Sequence, residues 1–198
     1  MVTKSEKVLR NLRDHHGTIS RDTSEREEKV IKETYSEKEQ KMKLIIANRG
    51  ARDIGKTASI KNVFTTLYAK YAATTKIYEP TNVADLPKSW VDVKAIMTIG
   101  DVLVGIESQG DPGSRMQESV KHFIKKGCEI MLVACRNQGD TINTITDLEK
   151  HGYTVLWLQN GKCTDHACWH KLEVNYGHYV ANIIEQCALT KTFDPAYL

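Results

Sequence analysis

The residues with the clearest chemical meaning form the run Gly50-Ala51-Arg52-Asp53-Ile54-Gly55-Lys56-Thr57, which satisfies the pattern G-x-x-x-x-G-K-[ST]. Its glycines permit backbone angles that let successive N–H groups point at phosphate oxygens. The lysine is suited to the β- and γ-phosphates, and the threonine hydroxyl is a ligand for nucleotide-bound Mg²⁺. We therefore predict a site for a nucleoside triphosphate, with ATP favoured and Mg²⁺ as its cofactor. The predicted nucleotide-binding residues are Gly50, Ala51, Arg52, Asp53, Ile54, Gly55, Lys56, Thr57 and Ala58.

The segments on either side of this run support the same interpretation. Residues 44–48 form a continuous apolar run typical of a buried strand, and apolar residues recur at helical spacing over 56–71. A helix that begins near Lys56 turns its positive end toward the phosphates. In this setting the run resembles the Walker A motif of the P-loop NTPase superfamily. The resemblance covers the motif and the general α/β layout rather than the whole chain.

A second group of polar residues follows another apolar run, 102–106, which leads into Glu107 and then Asp111 on a glycine-flanked loop. A P-loop enzyme needs a carboxylate beside magnesium, and ligands of parallel α/β sheets bind beyond the carboxyl ends of the strands. We therefore predict Thr57, Glu107 and Asp111 as magnesium-site residues, with Glu107 or Asp111 organising the attacking water. The open alternative is a strand-to-helix turn with solvated acids.

Two arginines also stand at predicted strand and helix ends. Arg115 begins a predicted helix, and Arg136 ends a predicted strand. A guanidinium at either position is suited to stabilise the charge that develops in phosphoryl transfer, so Lys56, Glu107, Asp111, Arg115 and Arg136 are the predicted catalytic residues. Helix capping and surface pairing are the alternative roles of both arginines.

Residues 137–140, Asn-Gln-Gly-Asp, resemble the guanine-reading motif N-[KQ]-x-D of small GTPases. Only one predicted helix and one predicted strand separate them from Asp111, whereas the GTPase layout places a further strand and helix there. We therefore favour ATP over GTP.

The remaining pattern alternates strands with helices. Strands are predicted over 93–99, 102–108, 129–136 and 153–159, and helices over 114–126, 141–151 and 172–189. Gly100 and Asp101 suit a tight antiparallel turn, while 74–89 is predicted to be a loop with little regular structure. This order predicts an α/β fold, P-loop NTPase-like, with a mostly parallel sheet and helices on both faces.

Residues 1–42 differ from the rest because charged residues dominate and large apolar ones are few. Such a stretch cannot build its own core. We predict a charged helical N-terminal extension over 1–42, a possible contact for a protein partner, and a nucleotide-binding α/β domain over 43–198.

Composition narrows the class of protein. Hydrophobic residues make up 40% of the 198 residues and charged residues 27%, which is typical of globular proteins. The apolar runs are too short to span a bilayer, and the N-terminus lacks the apolar core of a secretory signal, so we expect a cytoplasmic protein. A net charge of +3 leaves nucleic-acid binding open.

The five cysteines are an odd number, which argues against a disulfide framework. Four possible zinc ligands, Cys163, His166, Cys168 and His170, crowd into eight residues, but their spacing fits no familiar finger. An irregular connection is the other interpretation of this segment.

Three functions are consistent with these residues. The leading hypothesis is Mg²⁺-dependent ATP hydrolysis coupled to a partner. The second is a P-loop kinase that passes the γ-phosphoryl group to a nucleotide or another small acceptor, although no arginine-rich lid stands between the later strands. The third is a non-catalytic regulatory or assembly protein that binds nucleotide.

Overall fold

A six-stranded sheet forms the centre of the computed structural model, which describes residues 42–86, 88, 91–160 and 166–194. Its strands are β1 (Leu44–Arg49), β2 (Thr75–Glu79), β3 (Lys94–Ile99), β4 (Val102–Glu107), β5 (Ile130–Cys135) and β6 (Thr154–Gln159). The helices are α1 (Lys56–Tyr71), α2 (Met116–Lys126), α3 (Asp140–Lys150) and α4 (His166–Thr190). Short 3₁₀ turns span Ala72–Thr74 and Val83–Asp85.

The strand order is β2-β3-β4-β5-β1-β6. Strand β1 pairs in parallel with β5 and β6, and β4 pairs in parallel with β5. The β3–β4 and β2–β3 pairs are antiparallel. The prediction of an α/β fold with a mostly parallel sheet is therefore confirmed. Because β5 lies between β1 and β4, the strand before the glycine-rich loop and the strand that ends at Glu107 are not neighbours.

Helices pack on both faces of the sheet because successive strand residues point to opposite sides. On one face the core contains the apolar stripe of α1 and part of α4, namely Ile60, Val63, Phe64, Leu67, Val180 and Ile184. On the other face it contains residues of α2 and α3, namely Met116, Val120, Phe123 and Ile145. Strand β5 is buried along its whole length, as expected for a strand covered on both faces.

The predicted hairpin is confirmed, and it determines where one acid lies. Lys94 pairs with Glu107 and Ile99 with Val102, so the turn falls at Gly100 and Asp101. Since β3 runs against β4, the residues just before β3 lie at the edge of the sheet where β4 ends. Asp92, two residues before β3, is thereby brought to the carboxyl edge of the parallel strands.

Two of the predicted element bounds are wrong. The segment 74–89, predicted to be an irregular loop, contains β2, a short edge strand with no buried residue. Helix α4 begins at His166 rather than at residue 172. The predicted extension lies outside the described residues except for Met42. Among the residues that the structure describes, no helix combines the length and apolar character of a membrane span.

Candidate nucleotide site

The glycine-rich loop connects the buried strand β1 to α1. Gly50 donates its N–H to the Cys135 carbonyl of β5 at 3.2 Å, which fixes the start of the loop. At its end Gly55 has a φ of 79° and directly precedes α1, and the Ser59 N–H donates to the Gly55 carbonyl at 2.9 Å. A left-handed residue at this position favours glycine. The loop therefore delivers the first turn of α1 to the carboxyl edge of the sheet.

The Lys56 ammonium lies inside this loop. Its side chain donates to the carbonyls of Gly50, at 3.1 Å, and Ala51, at 2.5 Å, and the residue is only 7% exposed. Burial lowers the pKa of Lys56, the nearby positive charge of Arg136 lowers it further, and the carboxylate of Asp111 opposes both. The loop thus holds a partly desolvated cation where the sequence predicts a phosphate contact.

A cleft of about 660 Å³ opens beside the loop. It is lined by residues 53–58, by Asp92 and by residues 108–114. Thr57 lies on its floor, and its hydroxyl donates a long hydrogen bond of 3.5 Å to the Ser108 carbonyl. The predicted residues Asp53 to Ala58 and Asp111 therefore line one cleft.

Arg136 stands next to Asp111, although it lines a neighbouring cavity rather than the cleft itself. Its Nε atom is 2.9 Å from the Asp111 carboxylate, whose side chain is 60% exposed. The same Nε atom has no hydrogen-bond partner among the described residues, so the contact is an ion pair without aligned hydrogen-bond geometry. The structure thus brings together Lys56, Asp111 and Arg136.

Glu107 belongs to a different environment. It is completely buried, and its carboxylate accepts hydrogen bonds from the Ser119 hydroxyl at 2.5 Å, Arg115 Nε at 2.9 Å and the Gln109 N–H at 2.9 Å. Burial raises the pKa of Glu107, whereas the bonds from Ser119 and Gln109 act in the opposite direction. The adjacent guanidinium also favours the ionised form. Glu107 does not line the cleft, and its position does not fit the predicted magnesium ligand.

Arg115 is likewise engaged away from the phosphates. Besides Glu107 it binds Glu79, the last residue of β2, and its side chain is 17% exposed. One guanidinium thus connects the ends of β2 and β4 at the start of α2. Its contacts are those of a residue that stabilises the fold, in place of the predicted catalytic role.

Asp92 is the cleft residue that the sequence analysis missed. Its carboxylate accepts hydrogen bonds from the Ser108 hydroxyl at 2.8 Å and from Gln109 Nε2 at 2.9 Å. Ser108 also accepts the Val93 N–H at 2.8 Å, which holds the two hairpin strands in register. The signal was present, because a hairpin turning at Gly100 and Asp101 places Asp92 opposite Gln109.

The loop after β4 packs directly on β5. A Cβ atom at Gly110 would lie 2.5 Å from the carbonyl carbon of Ala134, a buried residue of β5. Such a distance is well inside van der Waals contact, so only a glycine lets the two backbones approach this closely. The wall of the cleft is therefore positioned by Gly110.

The residues proposed to read guanine lie near a separate cavity of about 460 Å³. Asn137 and Gln138 line it together with Arg52 and Arg136. Asp140, the predicted base-binding acid, begins α3 and does not line this cavity.

The structure describes only some of the possible zinc ligands. Cys163 lies outside the described residues, and Cys168 and His170 are exposed on the first turns of α4. Within the described ranges, no group of three or more His, Cys, Asp and Glu residues is arranged to hold a metal ion.

The cleft presents a mixed set of charges and oxygen atoms. Its hydroxyl and carboxylate oxygens include those of Thr57, Ser108, Asp92 and Asp111, and such hard ligands suit Mg²⁺ accompanied by phosphate. Loop N–H groups and Lys56 are suited to bind the phosphates themselves.

Comparison of the chain with protein-family models, with curated proteins and with solved structures finds no match.

Proposed function

We propose that this chain is a Mg²⁺-dependent P-loop NTPase that binds ATP in the cleft and hydrolyses it. The observation that carries the proposal is the placement of Lys56 within a glycine-rich loop between a buried strand and a helix, beside a cleft whose lining includes the carboxylates of Asp92 and Asp111. The resemblance to the Walker A motif points the same way. Coupling to a partner, with residues 1–42 as one possible contact, is part of the same proposal.

Binding of the triphosphate uses the loop and the first turn of α1. The loop N–H groups and the helix end surround the phosphates, and Lys56 exchanges its carbonyl partners for phosphate oxygens. Thr57, Asp92 and Asp111 supply the oxygen atoms that would hold Mg²⁺ or its water shell. The ion would neutralise charge on the β- and γ-phosphates.

Hydrolysis requires a water molecule in line with the bond between the γ-phosphorus and the β–γ bridging oxygen. Asp92 is the best-positioned carboxylate to orient that water, because Ser108 and Gln109 hold both its oxygens at one wall of the cleft. Attack forms a bond from the water oxygen to the γ-phosphorus, breaks the bond to the bridging oxygen, and releases ADP, inorganic phosphate and the proton given up by the water. Arg136, which contacts Asp111 at the margin of the cleft, would stabilise charge on the transferred group if its side chain turned toward the phosphates.

The test is release of inorganic phosphate from ATP in the presence of Mg²⁺. Lys56→Ala should abolish nucleotide binding or turnover, because it removes the cation inside the loop. Lys70→Ala, on the same helix but paired with Glu185 away from the cleft, is the matched control and should keep its activity. A folded Lys56→Ala protein with undiminished ATP affinity and rate would refute the proposal.

The same assay separates the competing functions. Transfer of the γ-phosphoryl group to an added small acceptor would replace hydrolysis by kinase activity, and tight binding without turnover would indicate a regulatory or assembly protein. Competition between ATP and GTP for the cleft decides the preferred base.

A further inference from the structure

A second cavity lies beside the glycine-rich loop, on the β6 side of β1. We call it the tyrosine cavity; it has a volume of about 390 Å³, and its walls include Ile54, Ser59, Asn160, Leu172, Tyr176 and Tyr179. It is mainly apolar, unlike the cleft, whose walls are mostly polar. Aromatic and aliphatic walls with a few polar groups are typical of sites for flat organic ligands.

The tyrosine cavity and the cleft share the start of α1. Ile54 lines both, and residues 56–58 face the cleft while Ser59 lines the tyrosine cavity. Asn160, which directly follows β6, fastens this wall by donating Nδ2–H bonds to the Ile54 carbonyl at 3.2 Å and to the Ser59 hydroxyl at 2.8 Å. A ligand whose phosphates lie in the cleft can therefore extend past Ile54 into this cavity.

Two polar atoms of the cavity walls lack partners. Asn160 Oδ1 and the Tyr176 hydroxyl are buried, and neither makes a hydrogen bond within the described part of the chain. Buried polar groups are nearly always hydrogen-bonded, so each such atom calls for an explanation. Burial raises the pKa of Tyr176, which keeps its hydroxyl protonated and able to donate. The pair thus leaves one acceptor and one donor unsatisfied just beneath the cavity wall.

Two large apolar side chains at the rim remain exposed. Leu172 is 49% exposed and Tyr179 is 46% exposed, and they lie seven residues apart on α4. Residues at this spacing share one face of a helix. This face is suited to cover one side of a flat ring.

We propose that the tyrosine cavity binds the adenine base of the nucleotide whose phosphates occupy the cleft, an assignment that rests on the proposed function. Adenine presents apolar ring faces for Leu172 and Tyr179. Its amino group donates and its ring nitrogen accepts, so adenine would satisfy Asn160 Oδ1 and the Tyr176 hydroxyl once the wall side chains move enough to uncover them. The separate cavity of about 460 Å³ near Asn137 and Gln138 is less suitable for a base, because Arg52 and Arg136 make it cationic.

Titration calorimetry with two ligands tests this assignment separately from phosphate binding. ATP contains a base and a triphosphate, whereas tripolyphosphate is a chain of three phosphates without base or sugar. Both ligands are titrated in the presence of Mg²⁺. Tyr179→Ala should weaken ATP binding about tenfold, since loss of one aromatic stacking partner has this magnitude, and Leu172→Ala should weaken it in the same direction by loss of apolar contact. Tripolyphosphate affinity should not change.

Two further variants complete the test. Leu189→Ala is the matched control, because Leu189 is also on α4 and 57% exposed but does not line the tyrosine cavity. It should bind both ligands like the wild type. Tyr176→Phe removes only a hydroxyl that has no partner among the described residues, so it should fold and lose ATP affinity alone.

The outcomes distinguish the two proposals. Unchanged ATP affinity in all three cavity variants, with the wild type binding both ligands, would overturn the base assignment and leave the NTPase proposal standing. Equal losses for ATP and tripolyphosphate would also overturn it. A wild-type protein that binds neither ligand would overturn the proposed function itself.

Discussion

Replacement of Gly110 by alanine is the sharpest perturbation of the cleft wall. The added Cβ would lie 2.5 Å from the carbonyl carbon of Ala134 and 2.6 Å from its Cβ and carbonyl oxygen. Ala134 cannot retreat, because it lies in β5 between β4 and β1 and is completely buried. The loop 108–114 must therefore move instead.

The geometry sets the size of the effect. Carbon atoms prefer to lie at least ~3.5 Å apart, so the loop must shift by about 1 Å. Overpacking of this kind costs about 1 to 3 kcal/mol of unfolding free energy, and each kcal/mol lowers the melting temperature by roughly 2 to 4 °C in a domain of this size. A displacement of ~1 Å at catalytic groups can reduce the rate about 100-fold. The loss of turnover should therefore be larger than the loss of folded protein alone would cause.

Thermal unfolding and ATP turnover, measured on the same preparation, check this expectation. Gly152→Ala, after α3 and outside the cleft lining, is the control: a Cβ there meets no atom within 4 Å among the described residues, but the φ of +83° is unfavourable for alanine. It should lose about 1 kcal/mol and keep its turnover. A Gly110→Ala protein as stable and active as the wild type would refute the argument that the contact with Ala134 positions the cleft wall.

Three other perturbations test separate parts of the structure. Asp92→Asn should weaken nucleotide binding in the presence of Mg²⁺ but not in EDTA, which calorimetry in the two buffers would show. Glu107→Ala should instead destabilise the fold by about 3 to 5 kcal/mol in denaturant unfolding, because it leaves Arg115 without its buried partner; unchanged stability would contradict the placement of Glu107. Hydrogen bonds from Lys70 and Tyr71 lower the pKa of Glu185 below 4.5, so the stability they add is present above that pH and is lost as the pH falls through the lowered pKa. Glu185→Gln should remove this pH-dependent part, less than about 1 kcal/mol, from the acid unfolding curve.

The parts of the fold that the sequence predicted well carry strong local signals. Helix α1 spans 56–71 as expected, since a glycine precedes it and apolar residues recur at helical spacing. The buried strands β1 and β5 and the hairpin turn were equally clear. In contrast, β2 has no buried residue and is followed by Pro80, so its composition resembles that of a loop. The first turn of α4 was obscured by its cysteines and histidines.

The candidate site was predicted in part for a physical reason. Local patterns identify which residues stand at strand ends, but not which face of the sheet each side chain meets. Glu107 ends β4 and Asp111 follows it, yet Glu107 turns toward α2 and pairs with Arg115, whereas Asp111 reaches the cleft. Strand order, which separates β1 from β4, also depends on tertiary pairing. Asp92 could have been identified by extending the predicted hairpin register beyond the pair of Lys94 and Glu107, which places Asp92 opposite Gln109.

The phosphate loop and Asp92, on opposite walls of the cleft, are attached to strands that differ in their resistance to local opening. Lys56 and Thr57 follow β1, whose outer neighbour, the edge strand β6, pairs with it at six consecutive positions. Asp92 precedes β3, whose outer neighbour, the edge strand β2, pairs with it at only four positions, with a shift of register between Ile77 and Glu79. Fraying that starts at this edge reaches the acid before it reaches the phosphate loop. On the proposed function, partial opening at the β2 edge would displace Asp92 while the phosphate loop still bound nucleotide, so we expect turnover to be more sensitive than binding to mild denaturant or heat.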